Sequence, residues 1–358
     1  MNNRVVVGMS GGVDSSVAAC LLLERGYEVI GITMQMCPEN PDRLPTQNGP
    51  LSAADDAGRV AGCLDIPYHV FSSNDDFRKY VIDYFAYEYA LGRTPNPCIA
   101  CNRYVKWGAL LSKAKQFGAG YLATGHYARI SAHPGTGRLC VSCSAAPGKD
   151  QSYALCSLTQ EQIAVTLLPV GDYRKEDVRK IAIKYKLPVA DKPDSQDICF
   201  VPDGDYARFI MEQKNITAPG GHFVDETGNI LGKHKGIIHY TVGQRKGLGL
   251  ALGRRMYVKS INAVNNTVTL SEDISVSEMT VNNINWMAFE PFEGERRLYV
   301  KIRYNHTAAG CSAYIERSLS APKIRCRFDA PQWAVTPGQS AVFYDRGYIA
   351  FSGVIDNP

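Results

Sequence analysis

No stretch of this sequence is apolar for long enough to cross a bilayer, and no segment is repetitive or of low complexity. A membrane-spanning helix and a repeat array are thereby excluded. The opening residues, Met-Asn-Asn-Arg before an interrupted apolar run, lack the pattern of a secretory signal. The eleven cysteines, an odd number, then read as reduced thiols of a cytoplasmic protein rather than as a disulfide framework. Acidic residues are missing in two places. None falls between Glu226 and Glu272, a window holding Lys233, Lys235, Arg245, Lys246, Arg254, Arg255 and Lys259, and Glu316 is the only acid from Arg296 to Arg327. In a chain whose net charge is only +4, such runs read either as a face for polyanions or as ordinary solvated strand faces. The Gly-Lys-Ser/Thr of a Walker loop is also absent, and no glycine spacing fits the dinucleotide fingerprint.

What is present is the stretch Gly8-Met9-Ser10-Gly11-Gly12-Val13-Asp14-Ser15-Ser16, between the apolar run Val5-Val6-Val7 and a helical pattern from Val17 to Glu24. Strand, glycine turn and helix follow one another. Gly11 and Gly12 allow a tight curl and close approach of a ligand, the serines add hydroxyls, and the first free amides of the helix point into the same hollow. That makes an anion site, most naturally for phosphate. The plainer alternative is a turn with Asp14 or Ser15 capping a core helix.

The first two hundred residues alternate strand and helix patterns: Glu28–Met34, Ala53–Cys63, Tyr68–Phe71, Phe77–Leu91 and Tyr121–His126. The series predicts an α/β fold with a doubly wound parallel sheet, whose ligands bind beyond the carboxyl ends of the strands. Gly8, Met34 and Gly125 lie at such ends and outline an adenosine pocket. Further helices are expected over Thr159–Leu168 and Arg174–Tyr185. From about Gly220 the pattern changes to short alternating runs punctuated by glycine, asparagine and proline, the mark of small all-β domains, with boundaries near Phe200 and Met279. Residues Cys37 to Gly49 read as a polar, proline-rich loop.

Cys98 and Cys101 follow Gly92-Arg93-Thr94-Pro95-Asn96-Pro97. The two prolines predict a stiff, extended arm presenting both thiols, which at this spacing suit metal chelation, redox pairing or nucleophilic work. A four-cysteine zinc site with Cys140 and Cys143 is disfavoured, since the gap is too long and Leu139–Ser144 reads as a strand. Cys199 stands apart in the polar stretch Asp-Ser-Gln-Asp-Ile-Cys at a domain junction, where clefts are common. The remaining cysteines read as small apolar fillers or incidental surface thiols.

The ordered motifs SGGVDSS, GRTPNPxxxCN, ATGHYAR, GKDQSY, DSQDICF, YTVGQRKGLG, the RY of KIRYNH and AVTPGQ resemble, over the whole length, the bacterial tRNA-specific 2-thiouridylases of the MnmA type. The resemblance implies an ATP pyrophosphatase (HUP-like) catalytic domain over 1–200, a small β-rich tRNA-contacting domain over 201–278 and a C-terminal β-barrel over 279–358. It implies ATP and Mg2+ as cofactors, a tRNA with a wobble uridine as substrate, a cysteine desulfurase or sulfur-relay protein as sulfur donor, and no membrane partner. It puts the ATP phosphates on Gly8, Met9, Ser10, Gly11, Gly12, Val13, Asp14 and Ser15, with Met34 and Gly125 lining the nucleotide. Asn96, Pro97 and Cys98 would approach the target base, and Lys149, Asp150, Gln151, Arg303 and Tyr304 would contact tRNA. Cys101 would be the nucleophile and Cys199 the persulfide carrier.

One departure bears on mechanism. Where the family pattern TPNPDxxCN has aspartate, this chain has Cys98. Cys98, Cys101 and Cys199 are thus candidate ligands of a [4Fe-4S] cluster delivering sulfide, against a persulfide relay in which Cys98 only assists. Two rival functions explain less. An ammonia-using adenylating synthetase leaves the cysteines and basic β domains unexplained, and a non-catalytic, metal-stabilised RNA-binding protein leaves the glycine loop unexplained.

Overall fold

The computed structural model describes residues 3–36, 52–193, 198–201, 203–316 and 322–357. The loop from Cys37 to Gly49, and Asp194 to Asp197 of the DSQDICF motif, lie outside them. Two compact units form: one from residues 1–81, 98–196 and 346–349, the other from 82–97, 197–345 and 350–358.

In the first unit the strands β1 (Arg4–Gly8), β2 (Glu28–Gln35), β3 (Tyr68–Ser72), β4 (Tyr121–Ala123) and β7 (Thr166–Leu167) form a sheet in the order β3-β2-β1-β4-β7. Every pairing is parallel. Strand order reverses between β1 and β4, so the crevice for a ligand opens beyond Gly8 and Ala123. Val5, Val6 and Val7 are fully buried. Helix α1 (Val13–Glu24) buries Val17, Ala18, Ala19, Cys20, Leu21 and Leu22, so it is apolar almost all round, as expected of a helix enclosed by its neighbours. Its core partners include Val178 and Ala182 of the helix Lys175–Lys184, which brings that helix alongside α1. Helix α2 (Ala53–Cys63) starts at a capping box in which the Ser52 hydroxyl accepts from the Asp55 amide at 3.1 Å and Asp55 accepts from the Ser52 amide at 3.1 Å. A hairpin of β5 (Ala128–Ala132) and β6 (Leu139–Cys143) completes this unit.

In the second unit β8 (Gly221–Val224), β9 (Ile230–His234), β10 (Tyr257–Asn262) and β11 (Thr267–Ser271) make a small sheet over a core of Phe223, Tyr240, Met256, Val258, Val268 and Leu270. Then β12 (Ser275–Trp286), β13 (Glu295–Lys301), β14 (Ala309–Glu316), β15 (Lys323–Trp333), β16 (Ser340–Asp345) and β17 (Tyr348–Asn357) run β12-β15-β14-β13-β16-β17, and β17 pairs back onto β12. The closed barrel removes open sheet edges.

The structure departs from the sequence pattern, or adds to it, in three places. The predicted helix Thr159–Leu168 is shorter, Gln160–Ala164, because the chain turns into β7 to extend the parallel sheet. The hairpin strand β5 was not expected at all. The arm ahead of the cysteines does not continue extended through them: a helix starts at Pro97, where the missing amide proton costs nothing, and runs through Pro97–Ala100, a π-helical stretch Cys101–Leu110 and Leu111–Gln116.

Candidate active site

The loop after β1 is held open by its surroundings. Gly12 is the N-cap of α1 and contributes no side-chain cap, so neither Asp14 nor Ser15 plays the capping part. The Ser16 and Ser15 hydroxyls donate to the Gly12 carbonyl at 2.8 and 3.2 Å, and the Ser15 oxygen accepts from the Ser10 amide at 3.2 Å. Gly11 has φ +67°, and a Cβ there would lie 2.3 Å from the Ala53 carbonyl oxygen. At Gly125, beyond β4, a Cβ would lie 2.5 Å from both the Asp14 carbonyl carbon and the Ser15 amide. Both glycines are thus required by close backbone approach, Gly11 to Ala53 and Gly125 to the first turn of α1. Such a cradle, with helix amides and dipole behind it, fits a nucleotide phosphate chain.

Behind the loop, Thr33 of β2 donates to the Met9 carbonyl at 2.7 Å, and the Tyr68 hydroxyl bridges Thr33 and the Ala54 carbonyl at 2.8 Å each. Met34, half-buried near the end of β2, pairs in register with Phe71. The strand ends bring Gly8, Met34 and Gly125 to one edge of the sheet, as the doubly wound pattern requires.

Asp14 accepts the Tyr127 hydroxyl at 2.7 Å and the Lys175 ammonium at 2.6 Å on one carboxylate oxygen. Lys192 reaches the Gly11 carbonyl at 3.0 Å and Asp56 at 2.7 Å. Sequence reading missed Tyr127, Lys175, Lys192 and Asp56 as neighbours of this loop. Only the position of Lys175, at the start of a helix with an apolar face, hinted at its place.

Cys101 is buried and Cys98 exposed, one helical turn apart. Surrounding protein raises both thiols above the ordinary range, and Lys106 opposes this for each. The Cys101 sulfur lies 3.9 Å from the Met36 thioether. Next in the chain, Asn102 is almost fully buried and donates to the Ala154 carbonyl at 2.7 Å, which pins the helix just past the cysteine. His126, bonded to Thr124 at 2.7 Å, is held well below the ordinary histidine range by burial and then by Lys106, so it is neutral. Lys106 and His126 are further residues that sequence reading did not single out.

Among the predicted tRNA-contacting residues, Lys149 is exposed. Asp150 is engaged locally by the Ser144 amide at 3.0 Å and the Ser152 hydroxyl at 2.8 Å, and the Gln151 side-chain oxygen accepts from the Tyr127 amide at 2.9 Å.

In the second unit, Cys199 is exposed and followed by the buried Phe200, whose ring meets Phe85 and Phe209 at 5.4 and 5.2 Å. Asn96 is half-buried and Pro97 buried. The arm before them is fixed: the Thr94 amide donates to the Pro337 carbonyl at 2.9 Å, and Arg93 pairs with Glu88 at 2.9 Å. Arg303 and Tyr304 sit exposed between β13 and β14, where the His306 amide closes a turn onto the Arg303 carbonyl at 3.1 Å. The basic runs are partly neutralised. Arg254 pairs with Glu272 at 2.7 Å, Lys259 with Glu226, Arg297 with Asp329 at 2.7 Å, and Arg325 and Arg327 with Glu278. Arg245, Arg254 and Arg255 nevertheless line one recess of about 540 Å³.

Among the described residues no helix is long and apolar enough to cross a membrane. Nor do any three of their His, Cys, Asp or Glu side chains group as a metal site.

Family models match in three consecutive blocks: a tRNA methyl transferase HUP domain over residues 3–203, a tRNA methyl transferase PRC-barrel domain over 209–272 and an aminomethyltransferase β-barrel domain over 276–355. The chain is 54% identical over 357 residues to the tRNA-specific 2-thiouridylase MnmA of Lachnoclostridium phytofermentans, covering 98% of this chain and 99% of that one. It is 52% identical to the protein of the same name from Acetivibrio thermocellus, with 98% and 99% covered, and 47% identical to that of Clostridioides difficile, with 99% of each covered. With its HUP sheet, glycine-rich loop and closing barrel, and these full-length relatives, the chain belongs to the family of tRNA-specific 2-thiouridylases, sulfurtransferases that modify tRNA.

Proposed function

We propose that the protein uses ATP to replace the C2 oxygen of a wobble uridine with sulfur through a relay of Cys199 and Cys101. The observation that carries this reading is the uncapped start of α1 beneath Gly11 and Gly125, in the same unit as a buried, helix-borne Cys101. A uridine carbonyl oxygen is a poor leaving group, so the C2 oxygen first attacks the α-phosphate and pyrophosphate leaves into the loop of Gly8 to Ser15. Magnesium supplies charge neutralisation on the phosphates when bound.

Sulfur arrives on Cys199 as a persulfide from a donor protein. The terminal sulfur adds to C2 and AMP departs, leaving the base joined to Cys199 through two sulfurs. The Cys101 thiolate then attacks the Cys199 sulfur, which releases 2-thiouridine and closes a Cys101–Cys199 disulfide. The two electrons that reduce the transferred sulfur come from the two thiols, and an external thiol restores them. Lys106 favours the thiolate that this step needs. Exposure suits Cys199 to meeting a donor, and burial suits Cys101 to waiting protonated.

The target nucleotide must leave its stack, at about a few kcal/mol, and contacts elsewhere on the tRNA must offset this. Asn96, Pro97 and Cys98 would meet the base. Lys149, Asp150, Gln151, Arg303 and Tyr304 would hold the RNA, with the recess of Arg245, Arg254 and Arg255 suited to phosphates. The test is pyrophosphate release from ATP with and without unmodified tRNA, before any sulfur source is added. Release that requires tRNA supports adenylation of the base. Release that ignores tRNA but responds to ammonia and a small acid overturns it.

A further inference from the structure

The phosphate loop has no cation of its own, since no lysine or arginine occurs from Gly8 to Ser16. It does have acids beside it. Asp14 stands in the first turn of α1 and Asp56 in the first turn of α2, whose first residue, Ala53, presses on Gly11. A helix start stabilises each carboxylate, but each also repels a polyphosphate placed in the same hollow.

Two lysines from far along the chain meet these acids. The Lys175 ammonium lies 2.6 Å from Asp14, and its side chain is only 12% exposed. The Lys192 ammonium lies 2.7 Å from Asp56 and also donates to the Gly11 carbonyl at 3.0 Å. Lys192 therefore joins both walls of the hollow, the loop backbone and the acid of α2. Partly exposed ion pairs add little to folding stability. Their field at an adjacent anion is another matter, because it acts over a few ångströms.

We propose that Lys175 and Lys192 are positioning residues of the nucleotide site that replace the missing loop lysine. They cancel Asp14 and Asp56, so that the loop amides and the α1 dipole face the β- and γ-phosphates uncompensated by negative charge. Lys192 in addition holds the Gly11 carbonyl in place. This rests on the reading of the loop as an ATP site.

The test is calorimetric binding of Mg-ATP and of adenosine to the full-length protein without tRNA. Lys175→Gln and Lys192→Gln are each expected to weaken ATP about tenfold or more while leaving adenosine within about twofold. Lys192→Arg is expected to recover most of the loss. Charge cancellation has its own signature: Asp56→Asn added to Lys192→Gln removes the stranded carboxylate and restores ATP affinity to within about threefold. ATP affinity within twofold of the unmodified protein in both glutamine variants overturns the proposal, as does an equal loss for adenosine, which would mark a collapsed loop. An unmodified protein that binds no ATP defeats the ATP reading itself, and the proposal with it.

Discussion

The side-chain amide of Gln339 donates to the backbone carbonyl of Thr94 at 2.8 Å and to that of Pro95 at 3.3 Å. Residues 245 positions apart are thereby joined: the TPNP arm is seated on the loop between β15 and β16. Gly338 next to it has φ +91°, and a Cβ there would lie 2.9 Å from the Thr94 amide. Gln339→Ala is expected to cost about 1–3 kcal/mol of arm ordering. It should lower kcat/KM for tRNA thiolation while leaving ATP affinity unchanged. Kinetics on a tRNA transcript beside ATP calorimetry checks both halves.

Gly125→Ala and Gly11→Ala force a methyl group onto backbone atoms of α1 and α2. Each is expected to reduce ATP affinity at least about tenfold, because backbone cannot move aside as a side-chain tip does. At Gly11 the positive φ adds strain of its own. Unchanged ATP calorimetry in both variants would contradict the cradle.

The pH dependence of Cys101 follows from three named influences. Burial and Cys98 raise its pKa, and Lys106 lowers it. Lys106→Gln should therefore move the ascending limb of Cys101 alkylation by iodoacetamide to higher pH and slow it at pH 7. Cys98→Ala should shift it the other way. For His126 the sign reverses, since Lys106 now depresses its pKa, and the same Lys106→Gln change should raise it. Alkylation rates and histidine NMR titration in one variant test the two opposite shifts.

Trp107 is buried, and its indole nitrogen donates to the Thr166 hydroxyl at 2.6 Å, tying the cysteine helix to β7. Trp107→Phe removes one of that hydroxyl's two hydrogen bonds, its donation to the Gln162 carbonyl at 2.6 Å remaining, and leaves a gap, at an expected cost of about 1–3 kcal/mol in denaturant unfolding.

Much of this architecture was legible because its signals are local. The Val5–Val7 run, the glycines and the apolar helix after them specify strand, turn and helix in a few residues, and parallel strands then follow from the alternation. The helix that begins at Pro97 was not legible: its π-helical wind from Cys101 to Leu110 breaks the 3.6-residue period by which helices are recognised, and the prolines before it argue for extended chain. Lys175, Lys192 and Tyr127 were hidden for a different reason. Their meaning lies in the partners they meet, Asp14 and Gly11, which only the packing of the Lys175–Lys184 helix on α1 and the doubly wound sheet bring near. The motif AVTPGQ had no mechanism until Gln339 was found holding Thr94.

The central claim is a relay of two thiols. The most direct measurement is 2-thiouridine by nucleoside mass spectrometry after anoxic incubation of tRNA transcript with ATP and a persulfide-charged sulfur donor. It is run with the unmodified protein, Cys101→Ala, Cys199→Ala and Cys98→Ala, before and after iron is stripped. The account predicts ATP-dependent product that survives iron removal, disappears with Cys101→Ala and with Cys199→Ala, and falls only in part with Cys98→Ala. Product retained in both Cys101→Ala and Cys199→Ala, or lost whenever iron is removed, would contradict it.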